Sequence, residues 1–152
     1  MTINQIQDEI IDEFESFDDW MDRYSLLIDM GNSLPPFPDT DRTEQNLIDG
    51  CQSKVWFTAQ LQTANHTNSN NSTEKTDVVI YQGDSDAILV KGIVALLIRV
   101  LSGHTPQEIV EADLYFIDRI NLREHLSPTR SNGLAAMLKQ MRLFALTYME
   151  RK

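Results

Sequence analysis

Apolar residues near the amino terminus recur at spacings of three and four: Ile3, Ile6, Ile10, Phe14 and Phe17 share one face of an amphipathic helix. A second helix is predicted next. Asp18 and Asp19 are its candidate caps, Trp20, Tyr24, Leu27 and Ile28 its apolar face, and Gly31 its expected end. Pro35, Pro36 and Pro38 then forbid regular helix and predict a loop leading to Cys51. Beyond it the pattern changes to strand formers, first Val55-Trp56-Phe57-Thr58-Ala59-Gln60-Leu61 and later Asp77-Val78-Val79-Ile80-Tyr81, expected to pair antiparallel. Residues 63–76 between them are dominated by Asn, Ser and Thr, which predicts a mobile polar hairpin tip.

The next apolar run, from Ala87 to Leu101, follows Asp84-Ser85-Asp86, which offers capping oxygens and negative charge to a helix start, and Gly103 is a suitable stop. Thr105-Pro106-Gln107-Glu108 restarts a helix with a capping Thr, a Pro at the first helical position and a reciprocal Glu. A last helix opens near Ser127-Pro128 and aligns Leu134, Met137, Leu138, Met141, Ala145 and Tyr148. No repeat or second domain interrupts this order. Residues 1–152 are therefore expected to form a single α+β domain, with helices packed on one face of a small antiparallel sheet.

Charge and composition narrow the partners. With 23 acidic against 13 basic residues the formal net charge is -10, so a surface tracking phosphates is not expected and no nucleic-acid partner is assigned. The run from Ala87 contains Lys91 and Arg99 and is too short for a membrane span, which needs about 18 apolar residues. Met1-Thr2-Ile3-Asn4-Gln5 has no basic and apolar leader pattern, so a cytoplasmic location is expected. Asn65-His66-Thr67 and Asn71-Ser72-Thr73 then read as chance matches to the glycosylation pattern.

The one cysteine, Cys51, permits neither an internal disulfide nor a four-thiolate metal or cluster site, and no metal or cofactor is expected. A lone cysteine by itself favours a small buried hydrophobe. Its flanks, Asp49-Gly50 and Gln52-Ser53-Lys54, instead describe a flexible turn ahead of a strand, where Gly50 permits unusual backbone angles. Sulfur transfer between proteins uses a thiolate, which a nearby cation favours, and a second cysteine would discharge a persulfide as a disulfide. Having only one suits a carrier.

Three blocks resemble the signature regions of the SufE family: Ile48 to Trp56, then Gly83-Asp84-Ser85-Asp86-Ala87 with Val90-Lys91-Gly92, then His125-Leu126-Ser127-Pro128-Thr129-Arg130-Ser131-Asn132-Gly133-Leu134. Arg42 in Asp41-Arg42-Thr43 also resembles the family, and the similarity runs from about Ile6 to Tyr148. The resemblance implies a SufE/IscU-like fold and a sulfur acceptor that is not a stand-alone enzyme. Cys51 would take sulfane sulfur as a persulfide from a SufS-type cysteine desulfurase, which carries the PLP, stimulate that enzyme, and pass sulfur toward a SufBCD-type scaffold for iron–sulfur cluster assembly. It implies a thiol sheltered in a shallow apolar cavity, with Asp86 and Arg130 as supporting polar residues, and a monomer or weak homodimer. Asp86 also reads as a first-turn carboxylate, Arg130 as a solvated first-turn residue, and His125 as a capping or packing residue. A CsdE-like partner of a CsdA-type desulfurase, a docking activator without covalent transfer, a Cys–His hydrolase using His104 or His125, and an oligomeric cluster scaffold are the alternatives.

Overall fold

The computed structural model describes residues 2–51, 53–67 and 72–150. Helices α1 (Ile3–Glu15) and α2 (Trp20–Asn32) precede strands β1 (Val55–Thr67) and β2 (Thr73–Ser85), and helices α3 (Ile88–Leu101), α4 (Pro106–Glu111), α5 (Phe116–Arg119) and α6 (Pro128–Glu150) follow. The start of α1 is fixed by Thr2, whose hydroxyl and backbone exchange hydrogen bonds with Gln5. Ile3, Ile10 and Phe14 are buried as the spacing predicts, whereas Phe17 lies beyond the helix end and is 37% exposed. Asp19 caps α2 by accepting from the Met21 amide at 3.1 Å.

Gly31 does not end α2. The helix runs on to Asn32 because Gly31 serves a helix crossing: a Cβ there would sit 2.8 Å from the Gly92 amide nitrogen, and one on Gly92 would sit 2.2 Å from the Leu27 carbonyl oxygen. Backbone therefore meets backbone where α2 crosses α3, an approach that any side chain would block. Leu27, against Gly92 at this crossing, belongs to the same buried core as Ile93 and Val94.

The strands pair antiparallel from Val55↔Ser85 to Thr67↔Thr73. Strand pairing thus occupies 63–67 and 73–76, which corrects the longer hairpin tip expected from composition; residues 68–71 lie outside the described residues. Threonines account for the difference, since their β-branched side chains suit a pleated ladder. Thr63 Oγ1 donates to Asp77 Oδ1 at 2.6 Å, and the Thr67 and Thr73 hydroxyls meet across the strands at 2.9 Å. One face of the proximal half, with Val55, Phe57, Val79 and Tyr81, is buried in the core. Tyr81 Oη donates to the Met141 carbonyl of α6 at 2.7 Å, so the final helix is bonded to the sheet it covers.

Asp84-Ser85-Asp86 does not cap α3 as expected. The N-cap is Ala87, which has no side-chain bond of its own, and the three polar residues make other contacts. Ser85 Oγ accepts from the Ala87 amide at 3.2 Å, Asp84 turns to cations, and Asp86 reaches the cysteine loop. The Thr105–Glu108 capping box and Pro106 open α4 as read from sequence, although that helix closes after six residues. In α6, Leu134, Met137, Leu138, Met141 and Ala145 are all buried. An α+β arrangement with helices on one face of a two-stranded antiparallel sheet follows from this packing.

Candidate functional site

Cys51 occupies a short excursion between Ile48 and Val55. The Ile48 amide donates to the Val55 carbonyl at 2.8 Å, which closes the base of the loop. Gly50 has φ 91°, a left-handed conformation that costs glycine little and other residues more, and it turns the chain so that the thiol faces α6. Gln52 lies outside the described residues. At the exit, Asp86 Oδ1 accepts from the Lys54 amide at 3.0 Å and the Asp86 amide donates to the Lys54 carbonyl at 3.2 Å. Asp86 is therefore no first-turn carboxylate of α3; it fastens the end of the cysteine loop to the β2–α3 junction.

The thiol is half-buried and opens into a cavity of about 70 Å³ lined by Cys51, Ser53, Val90, Ile93, Arg130, Gly133 and Met137. Its nearest polar partner is the Gly133 carbonyl, to which Sγ donates a weak bond at 3.7 Å. A Cβ on Gly133 would stand 3.4 Å from Sγ, so the missing side chain is what leaves room beside the sulfur. Burial pushes the Cys51 thiol up from its ordinary value. No charge among the described residues offsets that effect, so the cation expected near the thiol does not activate it in this state.

Arg130 nevertheless reaches the site, because its side chain contributes to the cavity wall. Its amide donates to Ser127 Oγ at 3.3 Å in the opening turn of α6, and it is exposed, with no carboxylate paired to it among the described residues. The structure thus assembles Cys51 and Arg130 around one cavity and places Asp86 behind the loop. Val90, Ile93, Gly133 and Met137 were not singled out as site residues by the sequence reasoning. Gly133 carried a usable signal, since a glycine inside a helical pattern costs about 1 kcal/mol relative to alanine and so asks for a reason.

A charged cluster gathers around Asp84 near the end of β2. Arg42 Nη2 donates to Asp84 Oδ2 at 2.6 Å and Arg42 Nε to Asp39 Oδ1 at 3.1 Å, while its guanidinium lies 5.0 Å from the Trp56 ring centre. Lys91 Nζ is 3.3 Å from Asp84 Oδ1, which also accepts from the Ser85 amide at 2.8 Å. Burial opposes the charge on Asp84, yet Arg42, the Ser85 amide and Lys91 together hold its carboxyl below the usual range.

The histidines stand elsewhere. His125 stacks on Trp20 with ring centres 3.8 Å apart and its Nδ1 meets the Asn121 carbonyl at 3.1 Å, so it packs as read from sequence. His104 is buried beside His66 and Glu108 near the far end of the hairpin, where burial lowers it to about 4. Neither ring lines the cysteine cavity, which deprives a Cys–His hydrolytic mechanism of its base. Among the described residues no helix is long and apolar enough to cross a membrane.

Comparison with known proteins identifies the family. The family model described as SufE, Fe-S metabolism associated domain, matches residues 8–145. An uncharacterized SufE-like protein of Rhizobium meliloti is 37% identical over 136 residues, covering 89% of this chain and 91% of its own. Another from Rhizobium etli is 39% identical over 136 residues, covering 89% of this chain and 86% of its own. The solution structure of a hypothetical protein from Thermus thermophilus shares the fold at a TM-score of 0.72 and 20% identity, over 95% of this chain and 96% of that one. With a loop cysteine beside a helix that spares room for it, and a family match over nearly the whole domain, the chain belongs to the SufE family and to Fe–S metabolism.

Proposed function

We propose that this protein is a sulfur acceptor and carrier in which Cys51 takes sulfane sulfur from a SufS-type cysteine desulfurase, stimulates that enzyme, and delivers the sulfur to a SufBCD-type scaffold for cluster assembly. The observation that carries this reading is the sheltered thiol with free space next to it. A cavity of about 70 Å³ beside Sγ exceeds the ~10–15 Å³ that admits one water-sized probe, so an added sulfur atom fits without repacking. In the transfer, the Cys51 thiolate attacks the outer sulfur of the enzyme's persulfide. The sulfur–sulfur bond of the donor breaks, its cysteine leaves as a thiolate, and Cys51 becomes the persulfide; the proton Cys51 gives up passes to solvent.

Burial keeps the resting thiol protonated and shielded from oxidants and stray electrophiles. Docking has to expose it. Asp86 restrains the loop that must move, and Arg130, exposed at the cavity wall, supplies positive charge for the thiolate or perthiolate once the loop opens. The protein acts in the cytoplasm, with the PLP chemistry left to the desulfurase, as a monomer or weak homodimer. A CsdA-type enzyme is the alternative donor.

Intact-protein mass spectrometry after mixing with a desulfurase and cysteine tests the assignment. The expected result is a gain of one sulfur that disappears in Cys51→Ser, falls in Arg130→Ala and forms faster in Asp86→Ala, where the loop loses its restraint. Full stimulation of sulfide release by Cys51→Ser, with no persulfide on the wild type, would replace the carrier by a docking activator.

A further inference from the structure

At the end of the molecule away from Cys51, β1, the α3–α4 connection and α4 each contribute one donor to a common point. His66 comes from β1, His104 from the turn after α3 and Glu108 from the first turn of α4, and one potential ligand atom from each lies within 4.8 Å of the others. His66 and His104 are 6% and 3% exposed, so both imidazoles are withdrawn from water. His104 Nδ1 is buried with no hydrogen-bond partner among the described residues. A buried, unpaired ring nitrogen is unusual in a native fold and asks for a ligand. Glu108 Oε1 already meets His66 Nε2 at 2.5 Å, the Thr105 amide at 3.1 Å and the Thr105 hydroxyl at 3.0 Å. These contacts hold the carboxylate still through Oε1, and among the described residues none engages Oε2.

We propose that His66, His104 and Glu108 form a binding site for a late first-row divalent ion such as Zn²⁺. Two imidazoles and a carboxylate are a donor set that suits this class of ion, with a water as the usual fourth ligand. The ring geometry supports it further. Two imidazoles bound through Zn–N bonds of about 2.0–2.1 Å at a tetrahedral angle place their ring centres roughly 5 Å apart. The observed separation is 5.2 Å, with the planes at 84°. On binding, His66 gives up its contact with Glu108 and coordinates as the neutral imidazole with its proton on the other ring nitrogen, and His104 gains the partner it lacks. His66 lies eleven residues beyond Val55 in β1, about 36 Å along an extended strand, so the ion pins the distal hairpin to α4 and takes no part in sulfur transfer.

Equilibrium dialysis of Cys51→Ser protein against Zn²⁺, with the thiol removed so that it cannot compete, tests the site. One ion per chain is expected, with a higher melting temperature on loading and at least tenfold weaker binding in His66→Gln and in Glu108→Gln. Glutamine at position 108 retains a side chain able to close the capping box, and circular dichroism verifies the fold of each variant. Equal Zn²⁺ binding in the parent and both variants, or no retained ion in the parent, overturns the assignment. A reading free of variants at the site is the long-range ¹H–¹⁵N spectrum of the Cys51→Ser protein. The ring nitrogens of His66 and His104 should shift together on adding Zn²⁺ while those of His125 stay; shifts confined to His125, or absent, also overturn it.

Discussion

At Cys51 the desolvation that shelters the thiol also keeps it protonated, and the two effects cannot be separated within the free protein. A thiolate buried without a countercharge is disfavoured, so the reactive fraction grows only as pH rises beyond the range of an ordinary cysteine, near ~8.5. Alkylation by iodoacetamide should therefore reach its half-maximal rate at a higher pH in this protein than in free cysteine, and urea should restore the ordinary midpoint. A midpoint at or below that of free cysteine would show that Arg130 already acts on the sulfur. The surroundings of Cys51 were legible in part. Gly50 announced the turn, whereas the shelter given by Val90, Ile93 and Met137 depends on residues 39 or more positions away.

Elements meet in this fold through small residues as much as through large ones. Gly92 sits in the middle of α3, where its lack of a side chain costs helix propensity, and the crossing with α2 is the compensation. Gly92→Ala would drive its Cβ to within 2.2 Å of the Leu27 carbonyl, so the helices must separate. The expected loss is about 3 kcal/mol of unfolding free energy by urea titration, at the severe end of overpacking changes. An unchanged urea midpoint would mean that the crossing is looser than the backbone indicates. The same reasoning explains why Gly31 misleads as a helix stop: local sequence shows a breaker, and only the neighbouring helix shows what it is for. Thr63 and Thr67 mislead in the other direction, since a polar composition suggests a loop while β-branching and cross-strand hydroxyl contacts extend the ladder.

Across the whole molecule, Asp84 joins three parts of the chain: Arg42 ahead of the cysteine loop, the end of β2, and Lys91 in α3. Its lowered carboxyl pKa has a definite sign for stability. The contribution is fully present above the unfolded carboxylate value, about 4, and is lost as pH falls through the lower folded value. Asp84→Asn should cost about 2 kcal/mol near neutrality, because two cations lose their shared partner, and its deficit relative to wild type should shrink as pH drops below about 4. A constant deficit across that range, measured by urea unfolding at each pH, would remove the ionic contribution. Spacing and local chemistry along the chain marked α1–α4, α6, the two strands and Cys51 as the candidate thiol, because each depends on a pattern that a linear order contains, whereas the short α5 was not predicted. Tertiary structure alone decided that Asp86 holds the cysteine loop and that Gly133 makes room for the sulfur. It also gathered His66, His104 and Glu108 from three elements. Those relations join positions far apart in the chain, and no local pattern records a contact that exists only after the helices have packed against the sheet.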